Sequence, residues 1–267
     1  MRQSLTCGLF RPERTREKML SKLLHNLSPA LWHWLKYQQY LRTSAGEREI
    51  RYIGNLIPPN TLVIDVGVHL GFYSRHFARF APQVLGFEAN PASALALRGM
   101  LPAKVRIENV ALSDANETVV LRVPLEGAGG GEAALGTLAP SNELAGAVFR
   151  SIEVRSRRLD EMKLPKVGLI KIDVEGHEEA VLRGAQGIIE RDRPRLMIEI
   201  EERHNHGAIS RVFERMSQLG YQSFVLAGHQ LSPIQAGLAI ELQRSPAGYL
   251  NNFFFLPREV GERPPSS

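Results

Sequence analysis

The run Val63-Ile64-Asp65-Val66-Gly67-Val68-His69-Leu70-Gly71-Phe72-Tyr73-Ser74 constrains the fold more than any other part of this 267-residue chain. An apolar strand ends in an acid, a glycine-spaced turn follows, and a helix begins at once. That order is the opening of an α/β unit whose ligand sits at the carboxyl end of the strand. Gly67 lets the backbone pass close to a ligand, and Gly71 lets the next helix approach. A tight strand-to-helix turn would ask for the same two glycines without any ligand. A dinucleotide site, however, would place glycine where Asp65 stands, because a pyrophosphate needs bare amides and is repelled by a carboxylate. Asp65 suits a cationic ligand.

S-adenosyl-L-methionine carries an ammonium group and a sulfonium, and its ribose asks for a second acid at the end of the next strand. Glu88 stands there. It closes the apolar run Val84-Leu85-Gly86-Phe87 at about 20 residues beyond the turn, the spacing at which an acid accepts from both ribose hydroxyls in a nucleotide-binding βαβ unit. The run from Asp65 through Gly67, Gly71, Tyr73 and Ser74, together with Glu88, is therefore read as a methyl-donor pocket.

Composition narrows the alternatives. With 43% hydrophobic and 23% charged residues the chain can bury one substantial core. The single cysteine, Cys7, excludes an internal disulfide and an all-cysteine metal site, and it fits a reducing compartment. No apolar stretch reaches the roughly 18 residues of a membrane span, and the arginine-rich start lacks the apolar core of a signal peptide. A cytoplasmic protein without a transmembrane segment is expected. The net charge of +5 lies in the N-terminal part, where residues 1–60 carry ten Lys and Arg against four Asp and Glu. The remaining 23 basic and 24 acidic residues leave the rest near neutral, so nucleic acid is a disfavoured partner and the arm Arg11 to Lys22 reads as a solvated helix face.

Three regions are expected: a helical N-terminal extension over 1–50, a catalytic domain over 51–260 and a disordered tail over 261–267. Ser28-Pro29 marks a helix start, with Leu31, Trp32, Leu35 and Leu41 at helical spacing and Trp32 and Trp34 as packing residues. After Pro58-Pro59-Asn60 strands and helices alternate. A strand at 61–66 leads to a helix at 71–80 with Phe72, Phe77 and Phe80 facing inward, and Asn90-Pro91 opens a short helix. Val105 to Val110 is the third strand, and the turn Val110 to Asp114, with Ala111, would lie beside the adenine in a doubly wound fold. Thr118–Val123 and Ser151–Arg155 read as strands of an insertion around the glycine-rich interval Gly127 to Gly136, a substrate lid or a plain flexible loop. Arg155, Arg157 and Arg158 follow it and could meet an anionic group. Val167–Val174 and Arg195–Ile200 are strands, and His177–Glu190 and Ile209–Leu219 are helices. Strands near Tyr221–Leu226 and Phe253–Leu256 end the pattern, the last antiparallel.

The second chemical motif is Leu169-Ile170-Lys171-Ile172-Asp173-Val174-Glu175-Gly176-His177-Glu178. Strand periodicity puts Lys171, Asp173 and Glu175 on one side, and three charges at the carboxyl end of a buried strand are costly unless paired or functional. A Lys171–Asp173 pair with a capping acid would also account for them.

With Ile64-Asp65-Val66-Gly67 through Ser74, Phe87-Glu88-Ala89-Asn90-Pro91, Asn109 through Asp114, and Ile170 through Glu178 continuing to Leu182-Arg183-Gly184-Ala185, the chain resembles the FkbM-type methyltransferases over about 60–200. Leu196-Met197-Ile198-Glu199-Ile200 is a fifth, weaker match. The resemblance implies an α/β, Rossmann-like class I methyltransferase fold, doubly wound, with a seven-stranded mostly parallel sheet and an antiparallel final strand. It implies S-adenosyl-L-methionine as cofactor, with His69, Asn90, Ala111 and Asp173 joining the donor site. His69 stands where the family often has asparagine.

An alcohol acceptor must be aligned in line with the donor and must lose a proton. Lys171, Asp173 and Glu175 are the candidate catalytic residues, the acids as base and Lys171 tuning Asp173 or stabilising the oxyanion. His177, His204 and His206 are further base candidates, and with Glu199 or Glu201 they could hold a metal, although no His/Asp spacing marks a metal site and none is assigned. The leading function is O-methylation of a hydroxyl on a sugar, glycan, lipid or secondary metabolite, a small-molecule or glycan acceptor. The alternatives are a nucleic-acid ribose 2'-O-methyltransferase and a non-catalytic S-adenosylmethionine-binding protein.

Overall fold

The computed structural model describes residues 21, 23–43, 48–124, 137–138, 149–244 and 249–258. The chain divides into two compact units, Met1–Gly46 and Glu47–Ser267. Cys7, the basic arm apart from Ser21, the interval Gly127–Gly136 and the tail 261–267 lie outside the described residues.

In the first unit, helix α1 (Pro29–Arg42) begins where Ser28-Pro29 predicts, with proline at a position where a missing N–H costs nothing. Trp32 is half-buried and its Nε1 donates to Ser21 Oγ at 2.8 Å. Trp34 is not the packing residue its spacing suggested. Together with Leu31 and Leu35 it shares the outward face, at the i, i+3 and i+4 positions, and His33 and Tyr37 are the buried residues.

The second unit is built on an eight-stranded sheet. Its strands are β1 (Leu62–Val66), β2 (Gln83–Phe87), β3 (Val105–Glu108), β7 (Val167–Ile172), β8 (Arg195–Glu199), β9 (Tyr221–Ala227), β10 (Gln230–Pro233) and β11 (Asn252–Pro257). The spatial order is β10-β9-β11-β8-β7-β1-β2-β3. β1 pairs in parallel with both β2 and β7, β2 with β3, and β7 with β8, so the chain winds outward in two directions from the β1/β7 seam. Right-handed crossovers then put the connecting helices of the two halves on opposite faces. β11 runs antiparallel to β8 and β9, as expected for the last strand. The sheet has eight strands, one more than expected. The two-residue turn Gly228-His229, with Gly228 at φ +65°, folds the short edge strand β10 back onto β9.

Strands β1 and β7 are buried along their whole length, as apolar runs enclosed on both faces should be. The helices here are α2 (Glu49–Ile53), α3 (Phe72–Phe77), α4 (Pro91–Leu97), α5 (Glu178–Gly184), α6 (Gln186–Asp192), α7 (Ala208–Gln218) and α8 (Ala236–Arg244). In α7, Ile209, Val212, Phe213 and Met216 form the buried stripe, and Gly220 at φ +76° follows its end. Two helical expectations need correction. Helix α3 stops at Phe77, so Phe80 lies beyond it and is exposed. The span 177–190 is two helices with a break at Ala185 (φ −114°), next to Gly184, where a Cβ would come within 1.9 Å of the Ser113 carbonyl oxygen. That contact pulls the helix end onto the third strand's extension.

The insertion is a small second sheet in the order β4 (Ala111–Leu112), β6 (Phe149–Arg157), β5 (Thr118–Pro124), with β5 and β6 antiparallel. Its own core of Ala111, Leu121, Val123 and Val154 packs against Ala89, Leu138 and Ile152.

Candidate functional site

Four strand ends converge on one cavity. Val66 and Gly67 come from the end of β1, Phe87 to Asn90 from β2, Val110 to Leu112 from beyond β3, and Asp173, Val174, Glu175 and His177 from beyond β7. The cavity therefore opens at the carboxyl end of the sheet beside the β1/β7 seam, where the winding direction reverses and open α/β sheets bind their ligands. Leu121 and Leu138 from the insertion add an apolar wall.

The turn after β1 is forced by close backbone approach. Gly67 has φ +80°, and a Cβ there would stand 1.8 Å from the Asp173 backbone oxygen. The Asp173 N–H donates to the Val66 carbonyl at 3.0 Å and the Gly67 N–H to the Phe87 carbonyl at 2.9 Å, which ties the ends of β7, β1 and β2 together. Gly67 thus makes room for β7. At Gly71 (φ +75°) a Cβ would meet Leu97 and Leu101 side chains, so this glycine admits the α4 segment. His69 holds φ +51°, an uncommon conformation for a side-chain-bearing residue and one that marks functional turns.

Glu88 is the pivot of the β2 end. One carboxylate oxygen accepts from the His69 N–H at 2.8 Å and the other from the Asn90 N–H at 2.8 Å. Burial raises its pKa, and these two amides pull it back. Asn90 caps α4, its side-chain oxygen accepting from the Ala92 N–H at 3.0 Å. Both residues, with His69 and Ala111, line the cavity.

Asp65 sits behind the wall. It is fully buried, and Ser74 Oγ donates to its Oδ2 at 2.5 Å, while Oδ1 has no hydrogen-bond partner. Burial pushes its pKa up to about 6 against the lowering effect of the Lys171 charge and the Ser74 bond. Lys171 is buried as well; its Nζ lies 2.9 Å from Asp173 Oδ2 and 4.7 Å from the Tyr73 ring centroid. Such a buried cation is tolerable because a carboxylate and an aromatic face meet it. Asp65, Gly71, Tyr73, Ser74 and Lys171 do not line the cavity, and the Lys171–Asp173 pair links the buried lysine to the lining residue Asp173.

Strand alternation brings Lys171 and Asp173 together but does not reach Glu175. β7 ends at Ile172, and Glu175 at φ +52° turns away, so that His204 Nδ1 donates to its Oε2 at 2.9 Å. Burial lowers the His204 pKa, yet the Glu175 bond and the charges of Glu175 and Glu201 raise it on balance. Thr137 Oγ1 donates to the Glu175 carbonyl, and the Gly176 N–H donates to buried Glu178, whose pKa burial raises to about 7. His177 Nε2 and Ser113 Oγ share a 3.0 Å hydrogen bond at the cavity edge.

Glu201 accepts from Tyr249 and Arg203, and Asn251 donates to Glu199. Among the described residues no three His, Cys, Asp or Glu side chains gather as a metal ion would need. Arg155 and Arg157 lie on the exposed face of β6, and Arg158 pairs with Asp160 and Glu161; none of them lines the cavity. The wall residues Leu121 and Leu138 escaped the sequence reading, since alternation in β5 shows a buried face but not what that face covers.

Residues 65–223 match the model of one protein family, described as the methyltransferase FkbM domain. No curated protein matches the chain. Among solved structures it is similar to methyltransferase FkbM from Methylobacillus flagellatus KT, at 16% identity and a TM-score of 0.48 over 76% of this chain and 45% of that one. It is also similar to a TehB-like SAM-dependent methyltransferase from Corynebacterium glutamicum, at 13% identity and 0.42 over 84% and 94%. A third is M. capricolum TrmK in complex with S-adenosyl-homocysteine, at 9% identity and 0.35 over 79% and 66%. The chain spans less than half the length of the Methylobacillus flagellatus protein.

Proposed function

Because this chain belongs to the FkbM methyltransferase family and takes its methyl group from S-adenosyl-L-methionine, we propose that it methylates a hydroxyl of a sugar, glycan, lipid or secondary metabolite. One observation carries the reading. Two acids, Glu88 at the end of β2 and Asp173 beyond β7, stand on the wall of the same cavity, separated in the fold so that one can serve the donor and the other the acceptor.

The residues present fit the donor. Glu88 spends one lone pair of each oxygen on an amide and keeps others for ribose hydroxyls. Asp65, with Oδ1 unpartnered, supplies negative field behind the turn of Gly67 to Gly71. His69, Tyr73, Ser74 and Asn90 hold that turn and the capped helix in place, and Ala111 with Leu112 offers an apolar surface for a purine. When bound, the donor supplies an electrophilic methyl group on a sulfonium.

The protein's part is to align the acceptor oxygen, exclude water and take up a proton. Asp173 is the assigned base. Lys171 holds one of its oxygens from the buried side, which fixes the carboxylate and leaves the other oxygen for a hydroxyl. Glu175, held by His204, is a further acid lining the cavity and the second base candidate. A cytoplasmic setting belongs to this reading, since the lone Cys7 needs no oxidising compartment. The near-neutral charge of residues 61–267 favours a small or glycan acceptor over phosphate-rich nucleic acid.

The test is a screen of hydroxyl compounds for S-adenosylhomocysteine release, repeated with Asp173→Asn and Glu175→Gln. Turnover should fall by about 100-fold or more in Asp173→Asn with donor binding retained. Near-native turnover in both variants would overturn the assignment.

A further inference from the structure

Methyl transfer leaves the first unit, Met1–Gly46, without a role, and that unit has an uncommon surface. Ten large hydrophobic side chains are exposed among the described residues, and five of them fall between Leu23 and Leu35. Leu31, Trp34 and Leu35 are 42–45% exposed on one face of α1, and Leu23 and Leu27 are 55% and 75% exposed in the helical residues just before Ser28. Scattered apolar exposure is ordinary, but a concentration of leucines with a tryptophan marks a surface that meets something.

Charge identifies the occupant. Residues 1–43 carry eight Lys and Arg against two acidic residues, both Glu. Two copies of this face would bring two arms of net +6 together, and nucleic acid would leave the leucines in water. An anionic bilayer satisfies both features, taking the Leu and Trp side chains into the headgroup boundary while Lys and Arg meet acidic headgroups. We infer that the N-terminal unit docks this enzyme on an anionic lipid surface through the Leu31/Trp34/Leu35 face of α1. The catalytic unit then works at a membrane surface; among the described residues no helix is long and apolar enough to cross a bilayer.

The chain's two tryptophans, Trp32 and Trp34, both belong to this helix, so their emission reports on it alone. The whole protein is titrated with vesicles of phosphatidylcholine and with vesicles of phosphatidylcholine mixed with phosphatidylserine. Blue-shifted emission and co-sedimentation with the second kind only are expected, weakened by about tenfold or more at high salt. Leu31→Glu/Leu35→Glu, at exposed positions, should weaken partitioning by about tenfold or more while S-adenosylmethionine binding is unchanged. The salt dependence of the unaltered protein tests the same claim with no substitution. Absence of partitioning, equal partitioning onto both vesicles, or indifference to salt would overturn the inference. Concentration-dependent dimerisation or binding to polyuridylate without vesicle binding would overturn it too. None of these results bears on the methyltransferase reading, which donor binding in the same samples checks separately.

Discussion

Replacing Gly67 by alanine should cost more stability than replacing any glycine whose only special feature is a positive φ. Gly99 is the comparison. Its φ is +77°, close to the +80° of Gly67, but nothing lies within 4 Å of an added Cβ. Gly99→Ala therefore measures the left-handed conformation alone, about 1 kcal/mol once the stiffer unfolded chain is offset against the strain. Gly67→Ala carries the same strain and adds a Cβ at 1.8 Å from the Asp173 carbonyl oxygen, which is backbone and cannot rotate away. Overpacking of that kind costs about 1–3 kcal/mol, so the total is about 2–4 kcal/mol. Relief would part the ends of β1 and β7, stretching the 3.0 Å bond from the Asp173 N–H to the Val66 carbonyl. Urea unfolding followed by far-ultraviolet circular dichroism gives both values. Equal losses in the two variants would refute the argument that Gly67 exists to admit the β7 end.

Two further outcomes follow from the buried charges. Glu178 has a folded-state pKa of about 7 against an ordinary value near 4.5, so the folded protein binds the extra proton between those limits and this group's contribution to stability falls as pH rises through that window. Glu178→Gln keeps an acceptor for the Gly176 N–H and should flatten the decline, with a gain of up to about 3 kcal/mol at pH 8 by thermal unfolding; an unchanged pH profile would contradict it. Lys171→Met removes the cation that lowers the Asp65 pKa, so a carboxyl carbon followed by NMR should titrate above its native position near 6. A downward move would contradict the assigned coupling.

Much of this architecture was legible because it rests on local chemistry. The apolar runs of β1, β2 and β7, the Asn90-Pro91 helix start and the antiparallel final strand each follow from periodicity or capping. The fully buried strands needed no partner to be recognised. What escaped was decided by tertiary contacts. Helix α3 and the α5/α6 pair end where the chain meets other segments, as at Gly184, and no periodicity records that. The edge strand β10 hangs on the short Gly228-His229 turn, and α8 fell in a stretch whose pattern was weak. At the site, Asp65, Glu88 and Asp173 were visible as acids at strand ends. The Lys171–Asp173 pair was legible from strand alternation, but the Ser74 bond to Asp65 and the His204 bond to Glu175 were not, because Ser74 lies 9 residues from Asp65 and His204 lies on a different element from Glu175. Glu175 shows the limit most clearly, since one residue with positive φ breaks the alternation that had grouped it with Lys171 and Asp173. Trp34 failed in the opposite sense, as helical spacing reveals a face but not whether protein covers it.

The donor pocket is the centre of this account, and isothermal titration with S-adenosylmethionine and S-adenosylhomocysteine tests it most directly. The unaltered protein should bind both saturably, and the Asp65→Ala/Glu88→Ala protein should remain folded by circular dichroism and bind neither. Failure of the unaltered protein to bind, or undiminished binding after both acids are removed, would contradict the assignment of this cavity to the methyl donor.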